Sequence, residues 1–126
     1  MALLFIFTSV HGITQTTNNM NNKNYSLEVI RYSIPKEQHN NFETAYTEAG
    51  SYLKASPYCL GYEVVHGNEE PDNYIIFIRW TSIKEHMEDF RKSAQFMPFF
   101  NLVKPYFNNI QEMKHYDITN NKWSRE

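Results

Sequence analysis

The chain has few of the residues that cross-link or anchor small proteins. Among its 126 residues the single cysteine, Cys59, excludes an internal disulfide, and no Cys/His cluster has the spacing of a zinc site. Lys and Arg residues are scattered and the net charge is −2, so the basic patch of a nucleic-acid-binding protein is missing. We therefore expect a hydrophobic core without a structural metal, and no nucleic-acid partner.

The N-terminal segment lacks the features of an export signal or a membrane span. Its apolar run, Ala2 to Phe7, is too short to cross a bilayer. No Lys or Arg precedes Lys23, no small-residue cleavage site is evident, and the stretch after the run is almost wholly polar. We predict that residues 1–25 are a disordered or vestigial targeting segment, and that the protein is cytoplasmic and binds no membrane. The alternatives are an over-extended start upstream of Met20 and, if the apolar run is a truncated signal peptide, export.

Aromatic side chains are abundant in this chain. They make up 16% of it, as nine Tyr, nine Phe and two Trp. A chain of this length buries roughly two thirds of the surface that it exposes when unfolded, which implies a single core. Many of these rings must therefore pack within one domain.

The spacing of apolar residues predicts a βαββαβ domain over residues 26–118, followed by a polar tail over residues 119–126. Runs rich in β-branched and aromatic residues predict strands at residues 27–34, 58–66, 74–80 and 110–118. Helical spacing and an S-x-x-E capping box predict helices at residues 36–56, from Ser82 to about Phe90, and at residues 94–103. Right-handed crossovers fold this order into a ferredoxin-like α+β domain, with a four-stranded antiparallel sheet and helices on one side.

The two middle strands predict a hairpin with two different faces. A turn centred near Pro71 places Glu63 opposite Arg79 and Tyr62 opposite Trp80. The face predicted to lie under the helices carries Leu60, Tyr62, Val64, Ile76, Ile78 and Trp80. The other face carries Glu63 and Arg79 and has no helix to cover it. We predict that a second copy covers it in a two-fold homodimer, with these two residues as an interface ion pair or a polar anchor.

Four stretches of this sequence resemble a known family. They are LEVIRYSIP (27–35), SPYCLGYE (56–63), RWTSIKEHMEDFRKSAQFMPFF (79–100) and EMKHYD (112–117). Together they make the chain similar to the antibiotic biosynthesis monooxygenase (ABM) family from about Leu27 to Ile118. The resemblance implies a dimeric α+β barrel. Members of the family include cofactor-free quinol and polyketide oxygenases and haem-degrading enzymes.

The resemblance does not extend to the haem-degrading arrangement. That branch of the family uses an Asn on the first strand, a Trp on the second helix and a His further along as the iron ligand. The matching positions here are Ile30, Phe90, and Phe99 or Phe100, none of which can ligate iron. We therefore predict no cofactor.

His86 is the candidate catalytic residue. An α-helical spacing puts its imidazole on the same side as Ile83, Met87 and Phe90, where a polar group needs a partner. It is either a general base or substrate anchor, or a partly buried histidine bonded to a backbone carbonyl. A metal site is not predicted, because His66 and His115 could only form one if their strands met.

An aromatic pocket between the helices and the sheet is the candidate substrate site. We predict that it is lined by Tyr46, Tyr62, Trp80, Phe90, Phe96 and Phe100, although each ring also suits a plain core position. The favoured function is cofactor-independent oxygenation of a small aromatic or quinol-type molecule. The alternative is a non-catalytic dimer that binds a small molecule. An unpaired His86 facing a cavity favours catalysis, and a pocket whose polar groups satisfy one another favours binding.

Overall fold

Four antiparallel strands form one sheet in the order β2-β3-β1-β4. The strands are β1 Ser26–Ser33, β2 Cys59–His66, β3 Asn73–Trp80 and β4 Ile110–Asp117. This computed structural model describes residues 24–126, so most of the predicted N-terminal segment lies outside the described residues. The ferredoxin-like α+β fold is confirmed. The dimeric form of the barrel stays a prediction.

Helices cover one face of the sheet. The long helix α1, His39–Ala55, follows a 3₁₀ turn at Lys36–Gln38, and the short helix α2 is Phe96–Val103. The chain then continues through a second 3₁₀ turn, Lys104–Asn109, into β4. Within residues 24–126, no helix is long and apolar enough to cross a membrane.

The second predicted helix is a π-helix, Glu85–Phe90, and this changes which residues face inward. The predicted cap forms, because the Glu85 N–H donates to Ser82 Oγ at 3.0 Å. A π-helix bonds each residue to the fifth along rather than the fourth, so the α-helical spacing does not hold. His86 and Phe90 are buried, whereas Ile83 and Met87, predicted on the same side, are 46% and 37% exposed.

The predicted register of the β2–β3 hairpin is wrong. Gly61, not Glu63, lies opposite Arg79, and Tyr62 lies opposite Ile78 rather than Trp80. An irregularity between Cys59 and Gly61 adds one residue to β2, and that residue, Leu60, is largely exposed rather than under the helices. A Cβ on Gly61 would meet the Arg79 guanidinium at 2.3 Å, so glycine leaves room for that side chain to cross the strand.

Buried rings fill the layer between α1 and the sheet. Phe42 lies between Tyr32, Tyr46, Tyr74 and Tyr106, with ring centroids 4.7–5.1 Å away. Alternate residues of β1 point into this layer, so its buried face is Ser26, Glu28, Ile30 and Tyr32. A carboxylate therefore lies on the buried face of an otherwise apolar part of the sheet.

Candidate active site

A cavity of about 390 Å³ lies between the sheet, the π-helix and α2. Five of the six predicted pocket residues line it: Tyr46, Trp80, Phe90, Phe96 and Phe100. The structure places the sixth, Tyr62, elsewhere, with its hydroxyl over Gly50 of α1, where a Cβ would meet it at 1.9 Å. Phe90 packs edge-on against Phe96 and Phe99 at 5.7 Å, which gives the cavity an aromatic wall.

Glu28 is a site residue that was not predicted from the sequence. The residue is 2% exposed and lines the cavity, and its Oε2 accepts a hydrogen bond from Trp80 Nε1 at 2.8 Å. Burial raises the pKa of Glu28 to about 7, against the opposing effects of the Trp80 hydrogen bond and the positive charge of Arg91. Its other oxygen, Oε1, accepts no hydrogen bond from residues 24–126. The strict alternation of β1 was the signal that could have found it.

His86 connects this carboxyl to a second histidine. Its ring stacks on Trp80 with centroids 4.0 Å apart and planes 10° apart. Its Nδ1 hydrogen bonds to His115 Nε2 at 2.8 Å, and its Nε2 lies 3.6 Å from Glu28 Oε2. The suggested backbone-carbonyl partner is therefore wrong, and the partner is a side chain on β4.

His86 is neutral at physiological pH. Burial lowers its pKa to about 3, and the neighbouring His115 and Arg91 lower it further in the same direction. An imidazole that resists protonation to this extent cannot store a proton near pH 7. The Glu28 carboxyl titrates near neutrality at the same place, so its pKa suits proton uptake near pH 7 better than that of His86 does.

Glu28, His86 and His115 also form the kind of group that could hold a metal ion. Their donor atoms all lie within 4.8 Å of one another. Glu28 Oε2 lies 3.6 Å from His86 Nε2, and His115 Nε2 hydrogen bonds to His86 Nδ1 at 2.8 Å. A metal ion bound by His86 Nδ1 and His115 Nε2 would replace the hydrogen bond between them, so the two arrangements exclude each other.

The other histidine considered for a metal site lies far from this group. His66 bonds the carbonyl of Pro71 through Nε2 at 2.6 Å and stacks on Tyr74. It is on β2, and His115 is on β4, at the opposite edge of the sheet. The two strands therefore do not bring this pair together.

A pair of buried tyrosines marks a second polar point of the cavity. The hydroxyls of Tyr32 and Tyr46 are 2.5 Å apart and both residues line the cavity. Burial raises the pKa of Tyr32 to about 12, so the pair stays protonated at neutral pH. One hydroxyl proton lies between the two oxygens, which leaves the other proton for donation to a ligand.

Glu63 and Arg79 lie on the open face of the sheet, away from this cavity. They flank a shallow depression of about 560 Å³ together with Tyr25, Leu27 and Phe77. The two charged residues share this depression without being cross-strand partners. Their predicted place on the uncovered face thus holds, and their predicted pairing across the strands does not.

Comparison with known proteins agrees with the fold. Residues 27–101 match the sequence model of the family described as antibiotic biosynthesis monooxygenase, and no curated protein sequence matches the chain. A candidate antibiotic biosynthesis monooxygenase from Bordetella bronchiseptica is 22% identical, with a TM-score of 0.62 over 76% of this chain and 96% of that one. SnoaB, a cofactor-independent oxygenase from Streptomyces nogalater, is 13% identical, with a TM-score of 0.58 over 82% and 99% of the two chains. Since the family model covers more than half of its length, the protein belongs to the antibiotic biosynthesis monooxygenase family.

Proposed function

We propose that this protein is a cofactor-independent monooxygenase that oxidises a small phenol or quinol with O₂ in the aromatic cavity. The observation that carries the proposal is Glu28, a buried carboxyl whose pKa is raised to about 7 at the wall of that cavity. A general base is most effective when its pKa lies near the working pH. The family membership and the likeness to SnoaB support the same reaction class.

The cavity suits a flat apolar molecule that carries oxygen atoms. Its volume of about 390 Å³ is within the range of small-molecule sites. Phe90, Phe96 and Phe99 supply ring contacts, and the tyrosine pair supplies a hydrogen-bond donor for an oxygen of the ligand. A phenolic O–H placed at the free Oε1 of Glu28 is then in reach of the base.

The reaction needs no electron source other than the substrate. Glu28 takes the phenolic proton, and the resulting phenolate passes one electron to O₂. The superoxide and the aryloxyl radical combine at a ring carbon, and the resulting peroxide takes the proton back from Glu28 to become a hydroperoxide. Glu28 then removes the ring hydrogen of that carbon as a proton, which breaks the O–O bond, leaves a carbonyl and releases hydroxide. One phenol and one O₂ thus give one quinone and one hydroxide, with one proton left on Glu28, and the hydroxide and the proton together make one water.

Oxygen uptake by metal-free protein tests this proposal. We expect uptake with phenols or hydroquinones that have a free ring position, at one O₂ per quinone formed and without added flavin. The rate should rise as pH increases through about 7, because the ionised form of Glu28 is the base. Absence of uptake across a panel of such substrates would contradict the proposed function.

A second candidate function is non-catalytic binding of a similar molecule. One observation favours it: both nitrogens of His86 face protein partners, so His86 is not the unpaired histidine that was expected for catalysis. Tight binding of a quinol without oxygen uptake, measured by calorimetry, would support this function over the first.

We also propose that the protein is a homodimer joined through the open face of the sheet. That face carries Phe77 and Val65 beside Glu63 and Arg79, and no helix of the described chain packs on it. We expect light scattering to give twice the chain mass. Phe77→Lys should yield a folded monomer, whereas Met97→Lys, at an exposed position on α2, should remain dimeric. A monomeric parent protein at micromolar concentration would refute the proposal.

A further inference from the structure

Three side chains from three different elements form a continuous polar row. Glu28 on β1 is the cross-strand partner of His115 on β4, and His86 of the π-helix reaches both. The contacts are 3.6 Å from Glu28 Oε2 to His86 Nε2 and 2.8 Å from His86 Nδ1 to His115 Nε2. Each histidine is thus placed to receive a proton on one nitrogen and release one from the other.

The row runs from the interior to the surface. Glu28 and His86 are 2% and 6% exposed, whereas His115 is only half-buried, on an edge strand. A base buried as deeply as Glu28 must lose its proton after each turnover before it can act again. Apart from Glu28 and His86, the titratable groups on the cavity wall are Arg91 and the tyrosine pair, and the pair stays protonated at neutral pH.

We propose that His115, acting through His86, is the outlet by which protons taken up at Glu28 leave for solvent. This inference deepens the proposed function and rests on it. In the step, the Glu28 carboxylic proton moves to His86 Nε2 as the Nδ1 proton of His86 moves to His115 Nε2. His115 then loses its Nδ1 proton to solvent. The carboxylate is restored, and both histidines end neutral with their protons on Nε2, so each ring must return to its Nδ1-protonated form by exchange with solvent before the next transfer.

The surroundings of His86 favour this concerted transfer over a resting imidazolium. Burial, His115 and Arg91 all disfavour the charged ring, so a proton does not stay on it. The stack on Trp80 holds the ring plane, which keeps both nitrogens aimed at their partners. Glu28, His115 and Arg91 are the titratable or charged groups that face His86 from β1, β4 and the end of its own helix.

A purely structural role for His115 leads to a different expected result. If His115 only holds His86 in place, any side chain that can hydrogen bond to Nδ1 should substitute for it. His115→Gln tests this, because an amide can bond Nδ1 but cannot pass a proton on. His115→Phe removes the bond as well and keeps a planar ring. The matched control is His66→Phe, since His66 is an exposed strand histidine outside the cavity whose stack on Tyr74 a phenyl ring preserves.

The kinetic test compares these variants on a substrate found by oxygen uptake. We expect kcat to fall on the order of tenfold or more in both His115→Gln and His115→Phe, with little change in KM, and to recover with added imidazole. His66→Phe should behave as the parent protein does. Full activity of His115→Gln, or a loss that imidazole does not reverse, would overturn the proposal. Activity that requires added Fe²⁺ or Zn²⁺ would overturn it too, because a metal would occupy the nitrogens.

A second measurement needs no substrate and separates this proposal from the proposed function. Nitrogen-15 NMR of the imidazoles reports which ring nitrogen carries the proton. As pH rises through the ionisation of Glu28, the His86 proton should move from Nδ1 to Nε2, and Glu28→Gln should abolish the change. If the tautomer of His86 does not change when Glu28 ionises, the row is not a proton path, whether or not the protein proves to be an oxygenase.

Discussion

Glu28→Gln should lower kcat by about a hundredfold or more on any phenol or quinol that the protein oxygenates. The amide keeps the shape of the carboxyl, and its oxygen can still accept the Trp80 Nε1 hydrogen bond. It cannot take a proton, so the substrate stays an un-ionised phenol that reduces O₂ slowly. KM should change much less, because the aromatic contacts that bind the ring are untouched.

The control for this experiment is Glu88→Gln. Glu88 lies on the same π-helix, but it is exposed and does not line the cavity. Steady-state oxygen uptake over a range of pH should show the rise near pH 7 in the parent protein and in Glu88→Gln, and no such rise in the residual activity of Glu28→Gln. Unchanged turnover in Glu28→Gln would remove Glu28 from the mechanism.

The same substitution should make the protein more stable at alkaline pH. The pKa of Glu28 is raised from 4.5 to about 7, so the folded protein keeps a proton that the unfolded chain loses across that interval. The stabilisation from protonated Glu28 is therefore complete below pH 4.5. As pH rises to about 7, this contribution to the free energy of unfolding is lost, and it amounts to about 3 kcal/mol. Glu28→Gln never carries the buried charge and should gain that amount relative to the parent protein at pH 8.

Urea denaturation of both proteins at several pH values checks this expectation, with the protein concentration held fixed in case of dimerisation. His86 acts in the opposite direction, since its lowered pKa makes the folded state gain stability as pH rises from about 3 to 6.5. Both proteins share that contribution, so their difference isolates Glu28. If the difference in free energy of unfolding between the two proteins does not grow between pH 4.5 and 8, the pKa of Glu28 is not raised in the folded protein.

Loss of activity together with a gain in stability is the expected signature of a functional buried charge. Replacing a residue that serves only the fold lowers the stability of the protein. A carboxyl kept in an apolar site against its solvation is retained for what it does there.

Periodicity was sufficient to predict the fold, because each strand and the long helix carry their own pattern. The strand order and the helix layer follow from that pattern and from chain handedness. Two local features were not encoded in this way. The hairpin turn is centred at Glu70 rather than near Pro71, which shifts the register by two residues, and Ile83 and Met87 are exposed where the chain forms the π-helix Glu85–Phe90 instead of an α-helix.

The site was harder to predict than the fold because it is assembled from residues far apart in sequence. Trp80 and Phe90 were found, since large rings next to a predicted helix must pack somewhere. The bond between His86 and His115 spans 29 positions and depends on the π-helix, which no local pattern indicates. Glu28 was within reach, because strand alternation alone puts its carboxyl on the same face as Ile30 and Tyr32.

The π-helix also has a consequence for comparing this chain with its relatives. A π turn holds one residue more than an α turn, so a relative with a regular α-helix here differs from this chain by a one-residue gap. In such a relative, the residue next to the Trp80 position would come from a different place on the helix. The length of the segment Glu85–Phe90, as much as the identity of its residues, therefore decides whether an imidazole reaches the indole.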